Sequence, residues 1–189
     1  MELMNSMFNF RSRLERWAAR RNILILLGLF LLFTLIIFPL LTARLTSLSG
    51  GFSLLDNEFS YTPEKAYQMI SAYGAEGRPL YLITTLTADL VYPLIYALLL
   101  SLGMIYFFHQ TFSQDSPVQG AFYLPIAAMV ADYLENICLV ILLVSFPHWV
   151  EGLAQAANIF TGLKWGLLLA SILMAIFGLA TWLIRRKKI

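Results

Sequence analysis

The sequence predicts an all-α, polytopic membrane protein: a four-transmembrane-helix bundle with a short amphipathic helix in its first outer loop. Three observations predict it. Hydrophobic residues make up 59% of the 189-residue chain and charged residues 13%, with a mean hydropathy of +0.73, whereas a soluble domain carries about 25% charged residues. Four stretches stay apolar over the roughly 20 residues that a helix needs to cross a bilayer. None alternates with the period of two that a barrel, the other backbone-satisfying fold in lipid, would require.

The expected spans cover residues 22–43, 80–108, 121–145 and 158–184 of a membrane domain at 22–184. A basic segment, 1–21, precedes it and a basic tail, 185–189, follows. Arg11, Arg13, Arg16, Arg20 and Arg21 flank the first apolar run, and Arg185, Arg186, Lys187 and Lys188 flank the last. The positive-inside rule then places both termini in the cytoplasm of a multi-pass cell-membrane protein. The 109–120 connection has no Lys or Arg, but it is short and the termini outweigh it. The first run is too long for a signal-peptide core, and Thr42-Ala43-Arg44 makes a poor cleavage site, so it reads as an uncleaved anchor. With no charge inside, it is expected to face lipid or to pack by shape alone. Residues 8–20 combine Phe10, Leu14 and Trp17 with arginines, the pattern of a basic amphipathic helix on the inner leaflet that sets topology.

The outer loop, 44–79, carries its own helix signal. Thr62 suits the N-cap, Pro63 the first turn and Glu64 the positive helix end. Ala66, Tyr67, Ile70 and Tyr73 share one face. Gly74 and Gly77 read as stop signals, which predicts a helix over 63–73 lying on the membrane surface. The GGFSLLDNEF stretch before it is apolar enough to touch lipid, so the loop is either a lid or a cover for the helix ends.

The chemistry lies in ionisable residues inside apolar runs. Asp or Lys at mid-helix costs about 2.5–3.5 kcal/mol on insertion scales. At 1.5 Å rise per residue, Asp89 lies about 14 Å from the outer end of the second span, and Lys164 about 9 Å from that end of the fourth. Asp132 and Glu135 lie about 16–21 Å up the third. All four thus occupy one slab in the central and outer half of the bilayer. Asp89, Tyr92 and Tyr96 form one stripe; Asp132, Glu135 and Asn136 form a second; Thr161, Lys164 and Trp165 share a face of the fourth span. The stripes are expected to face one another, with Pro93 loosening the second span beside Tyr92. Three carboxylates against one ammonium leave excess negative charge. Protons, a bound cation or a basic residue such as Arg78 reaching in from the outer edge must offset it.

Asp89, Asp132, Glu135 and Lys164 are therefore the candidate catalytic residues, with Asp132 or Glu135 as acid or base and Lys164 as charge partner. Tyr92, Tyr96, Asn136, Thr161, Trp165 and Arg78 are the candidate ligand-binding residues. The oxygen donors suit Mg²⁺, Ca²⁺ or Mn²⁺ better than zinc, since His109 and His148 fall on opposite sides of the membrane; no metal is assigned. His148, Trp149 and Glu151 are placed on the rim of the outer mouth. Cys138 is the single cysteine, which excludes an intrachain disulfide and a CxxC redox centre. The double aspartate motif of alcohol phosphotransferases and the serine–histidine dyad of rhomboid proteases are also absent. No motif names a cofactor. The expected function is a pocket, open to the outer side, that binds or processes a lipid-like or amphiphilic molecule. Polar glue between helices and proton or cation translocation are the competing expectations. Membrane lipids and an amphiphilic small molecule are the expected partners, with no nucleic acid; the sequence does not set the oligomeric state.

Overall fold

The computed structural model describes residues 12–150 and 152–187; Phe10, Arg11, Glu151 and Lys188 lie outside the described residues. Helices dominate, and no strand occurs among the described residues. Four helical stretches are long and apolar enough to cross a membrane: Arg20–Ser49, Gly74–Thr111, Pro117–Ser145 and Leu153–Arg186. Each overlaps an expected span and extends beyond it. The second and third form the centre of the bundle, with half of their most apolar stretch buried, whereas none of that of the first is buried. The third and fourth spans make the most extensive interhelix contact. One end of the bundle carries the 50–73 segment, the loop end; the other carries the 12–19 segment and the end of the fourth span, the terminal end.

The first span is interrupted by a wider, π-helical turn, Phe33–Ile37. Pro39 explains it. Proline has no N–H to donate four residues back and its ring crowds that carbonyl, so the turn before it opens, and the Phe38 N–H reaches the Phe33 carbonyl five residues back. The span ends at Gly50, in the left-handed conformation at φ 68°, which L side chains avoid. Gly51, at φ 122°, redirects the chain. The next residues do not lie on a surface. Leu54 and Leu55 are buried, and a short 3₁₀ turn, Leu55–Asn57, drives Asp56 into the bundle as well.

A helix runs Pro63–Ala72, capped by the Thr62 hydroxyl, which accepts from the Lys65 N–H at 3.3 Å. Its backbone N–H and the Thr62 side chain hold the exposed Glu64 carboxyl below its ordinary range. Ala66, Tyr67, Ile70 and Tyr73 are all buried, as their shared face requires, and Met69 joins them. Gly74, at φ 67°, ends this helix. The expectation for Gly77 is corrected: it stops nothing. It lies inside Gly74–Leu86, where a Cβ would meet Tyr73 at 3.1 Å and Leu45 at 3.2 Å. Its missing side chain lets the first and second spans approach.

The second span is broken at Thr87, whose φ of −124° and ψ of −82° are not helical. The sequence located the weak point at Pro93; the break falls six residues earlier. Ala88–Thr111 therefore starts its own helix with Asp89 in the first turn, where unpaired N–H groups and the helix dipole favour a carboxylate.

At the terminal end the packing is apolar: Leu102, Met104, Ile105, Phe108 and Phe122 form the core, with Leu14 of the helical segment 12–17. His109 lies 3.3 Å from Glu15 and ties that segment to the second span.

Candidate functional site

Three spans and the loop converge on one charged centre at the loop end. Lys164, on the fourth span, lies 2.6 Å from Glu135 Oε2 and 3.7 Å from Asp132 Oδ1, both on the third. Tyr96 of the second span donates to Asp132 Oδ2 at 3.0 Å. Thr161 donates to Glu135 Oε1 at 2.5 Å. Glu135 and Thr161 have no exposed surface, and Asp132 and Lys164 are buried. The one-face reading of Asp132 and Glu135 thus holds, and Lys164 meets both.

Proline chemistry positions the other side of the centre. Pro93 cannot donate to the carbonyl of Asp89, four residues back, so that carbonyl is left free. Asn136 Nδ2 donates to it at 3.2 Å. The neighbouring Leu90 carbonyl receives the Tyr133 hydroxyl at 2.9 Å. Asn136 has spent its donor group on the backbone, and its Oδ1 is buried with no partner. The Asp89 side chain is buried beside it, on a residue only 6% exposed, in the first turn of Ala88–Thr111. The Lys164 ammonium faces both Glu135 Oε2 and Asp132 Oδ1, so one cation serves two carboxyl groups. The centre therefore has acceptors to spare. Such groups normally find partners, because an unmet buried acceptor costs about 1–3 kcal/mol.

The loop supplies what the sequence reading missed. The Asp56 N–H donates to the Tyr81 hydroxyl at 3.2 Å, and that hydroxyl returns a bond to Asp56 Oδ1 at 2.9 Å. Trp165 Nε1 donates to the Asp56 carbonyl at 3.3 Å. Buried and held by Tyr81 of the second span and by Trp165, the residue after Lys164, Asp56 is a fourth carboxyl group at the loop end of the centre. Tyr61 lies 3.5 Å from the Thr161 hydroxyl, and its N–H donates to Asn158 Oδ1 at 2.9 Å. Burial raises the Tyr61 hydroxyl above its ordinary value, and burial followed by the Asp56 charge raises Tyr73. Both stay protonated donors across the physiological range. One signal for Tyr81 was available: it precedes Asp89 by eight residues, on the same stripe. Asp56 offered only its position after two leucines and a Gly-Gly turn.

Three expected site residues are placed differently from the sequence reading. Arg78 does not serve the carboxylates: it donates to the Ile70 carbonyl at 3.4 Å and lies 4.6 Å over the Phe146 ring. Trp165 serves the loop, bonding Asp56 and stacking on Phe59. Tyr92 borders the centre but turns to the first span, where Phe30, Phe33 and Phe38 surround its ring at 5.0–5.9 Å and Thr34 meets its hydroxyl at 3.0 Å. The first span thus does more than pack by shape. The centre is also not open at the loop end, because Leu54, Leu55 and Asp56 are folded into that end. His148 is exposed, and Trp149 stacks on Tyr67 at 4.1 Å. Among the described residues, no group of three or more His, Cys, Asp and Glu side chains is arranged to hold a metal ion. Comparison of the chain with protein-family models, curated proteins and solved structures finds no match.

Proposed function

We propose that the chain is an integral membrane protein, with both termini in the cytoplasm and the loop end outward, that binds or processes a lipid-like or amphiphilic molecule at its acid-lined centre. The observation that supports this most is the buried, unpartnered Asn136 Oδ1 beside a centre that gathers four buried carboxyl side chains, Asp56, Asp89, Asp132 and Glu135, around one ammonium. Acceptors without donors favour a head group that brings donors. The aromatic seam where Phe30, Phe33 and Phe38 meet Tyr92 offers an apolar surface for a tail beside it. Turnover, if the molecule is processed, falls to Asp132 or Glu135 as acid or base, with Lys164 as the charge beside them.

Native mass spectrometry of the detergent-extracted protein tests the reading. A small amphiphile should co-purify with the wild type and be lost from Asp89→Asn and Glu135→Gln variants that still insert and fold. Retention by both variants would remove the site.

One observation favours a second reading, in which the charges only fix the bundle. Lys164, Glu135, Asp132, Tyr96 and Thr161 already satisfy one another in part across three helices. That reading accounts for the third and fourth spans, and gives Asp89 only its place at the N-terminus of Ala88–Thr111.

A further inference from the structure

The terminal end carries a second polar arrangement, where three spans meet the basic flanks of the membrane domain. Arg20 opens the first span, and its Nε donates to the Tyr106 hydroxyl of the second. Arg186 closes the fourth, and its guanidinium lies 5.2 Å from the Trp182 ring. The Tyr106 and Trp182 rings are neighbours, 6.4 Å apart. Gln110 ties them together: its Nε2 donates to the Tyr106 carbonyl at 2.8 Å, and its Oε1 accepts from Trp182 Nε1 at 3.0 Å. Both arginines are exposed, and neither meets a carboxylate among the described residues. The described acids of this end are Glu15, which faces His109, and Asp115. The first span over Arg20–Leu32 and the fourth span each pack on the second but barely meet one another, so a groove runs between them along the second. Gly103 lies one turn inward of Tyr106 on the same face. It is buried, yet a Cβ there would meet nothing within 4 Å, so the backbone is recessed between its neighbours. Exposed leucines continue each wall at helical spacing: Leu24 and Leu27 inward of Arg20, Leu183 and Leu179 inward of Arg186.

We propose that this seam holds an anionic phospholipid, its phosphate between Arg20 and Arg186 and an acyl chain in the groove beside Gly103. The site lies at the end opposite the charged centre and does not depend on a ligand there. Guanidinium groups recognise phosphate through paired N–H donors. Arg20 spends only Nε on Tyr106, so both of its terminal nitrogens remain for a ligand. Arg186 touches only the face of a ring and keeps all of its donors. A zwitterionic head brings its own cation to a seam already lined by two. An anionic head supplies the charge that these arginines lack. Tyr106 and Trp182 are the residue types that sit at head-group level in a bilayer, and basic sites between spans are where acidic head groups settle. Occupancy has a structural consequence. None of the most apolar stretch of the first span is buried in the protein. A lipid that bridges Arg20 and Arg186 fastens that span to the fourth.

The test uses the purified full-length chain in detergent, offered phosphatidylglycerol and phosphatidylcholine with the same acyl chains at equal concentration. Adducts are read by native mass spectrometry and unfolding midpoints by thermal scans. Phosphatidylglycerol should bind at least about tenfold more tightly than phosphatidylcholine and raise the midpoint. Arg20→Gln and Arg186→Gln should each weaken phosphatidylglycerol by at least about tenfold. Arg13→Gln and Arg21→Gln subtract the same charge at the same end, off the Tyr106–Trp182 pair, and should leave its binding unchanged. If Arg20→Gln does not fold, Arg186→Gln, which keeps the Tyr106 bond, decides alone. Equal losses in all four variants would overturn the site and leave only diffuse attraction to a basic surface. Equal binding of the two lipids would overturn the requirement for an anionic head, and the proposal with it. Displacement of phosphatidylglycerol by equimolar inorganic phosphate would overturn the lipid as occupant and leave a site for free phosphate.

Discussion

The two ends of the bundle bury polar groups in opposite ways. At the terminal end the buried polar residues are neutral and lean on nearby backbone. Ser101 donates to the Phe122 carbonyl at 2.8 Å, Thr111 to Phe107 at 2.8 Å, Ser171 to Leu167 at 2.7 Å and Gln119 to Phe108 at 3.3 Å. At the loop end neutral groups such as Ser49, Thr84 and Thr85 do the same, but the charged residues Asp56, Asp89, Asp132, Glu135 and Lys164 are buried there as well, and Asp56, Asp132, Glu135 and Lys164 are met by side chains of other elements. The terminal end holds together by shape, with Gly178 packed on Phe108. The loop end carries more charge than cohesion needs, since measured polar pairs between membrane helices average about 0.6 kcal/mol. A fold that can close one end with apolar packing has no structural need for four buried carboxyl side chains at the other. That contrast is why the loop end is read as the site.

Substitutions can break the comparison, and the largest effect belongs to Lys164. Lys164→Met leaves Glu135 and Asp132 buried without their cation and should cost about 3–5 kcal/mol. The double variant Lys164→Met with Glu135→Gln should recover much of that loss. Denaturant titration in detergent checks both. Full additivity of the two single effects would show that the pair is not coupled. Next comes Tyr81→Phe. It removes the hydroxyl that bonds Asp56 twice and should cost about 1.5–3 kcal/mol, the range for hydrogen bonds to charged groups. The loop should loosen, and alkylation of the buried Cys138, which packs in the same cluster as Leu54 and Leu55, should speed up. Unchanged alkylation would show that the loop is held by its leucines alone.

At the terminal end, Gly178→Ala should cost about 1–3 kcal/mol by overpacking, because the new Cβ would fall 2.5 Å from Phe108 Cε1. Cys138 alkylation should not change, since the damage lies at the other end. A rise in both would join the two ends into one cooperative unit. The smallest effect concerns pH. Tyr61 and Tyr73 are raised by burial, so their contribution is fully present below the ordinary tyrosine value of about 10. It is lost as pH rises from there through their folded values, because the unfolded chain ionises first. Ultraviolet titration should show tyrosines that resist ionisation above that pH, and fewer of them in Tyr61→Phe.

Much of the charged centre was legible because lipid is an unforgiving solvent. Asp89, Asp132, Glu135 and Lys164 are conspicuous in apolar runs, and the helical repeat alone places Glu135 and Asp132 where Lys164 can meet them. The loop was not legible. Asp56 follows Leu54 and Leu55 in a stretch with no strong periodicity, and its burial comes from tertiary packing under the Pro63–Ala72 helix. Nor does the repeat show where a helix breaks. Pro93 marked the second span as weak, but the backbone yields at Thr87, and the proline's effect is felt instead as a free Asp89 carbonyl that captures Asn136. Arg78 reads from the sequence as a basic residue able to reach the centre from the outer edge, because its sequence neighbours do not reveal the Phe146 ring and the Ile70 carbonyl that occupy it.

The account stands on Asp89 being present for a ligand and not for the fold. The unfolding midpoint of the ligand-free Asp89→Asn protein measures this most directly. A midpoint close to that of the wild type is expected, since Asn fills the same space and forfeits only the weak attraction of a carboxylate to the helix N-terminus. A clear fall in the midpoint would contradict the account and return the residue to the bundle's own cohesion.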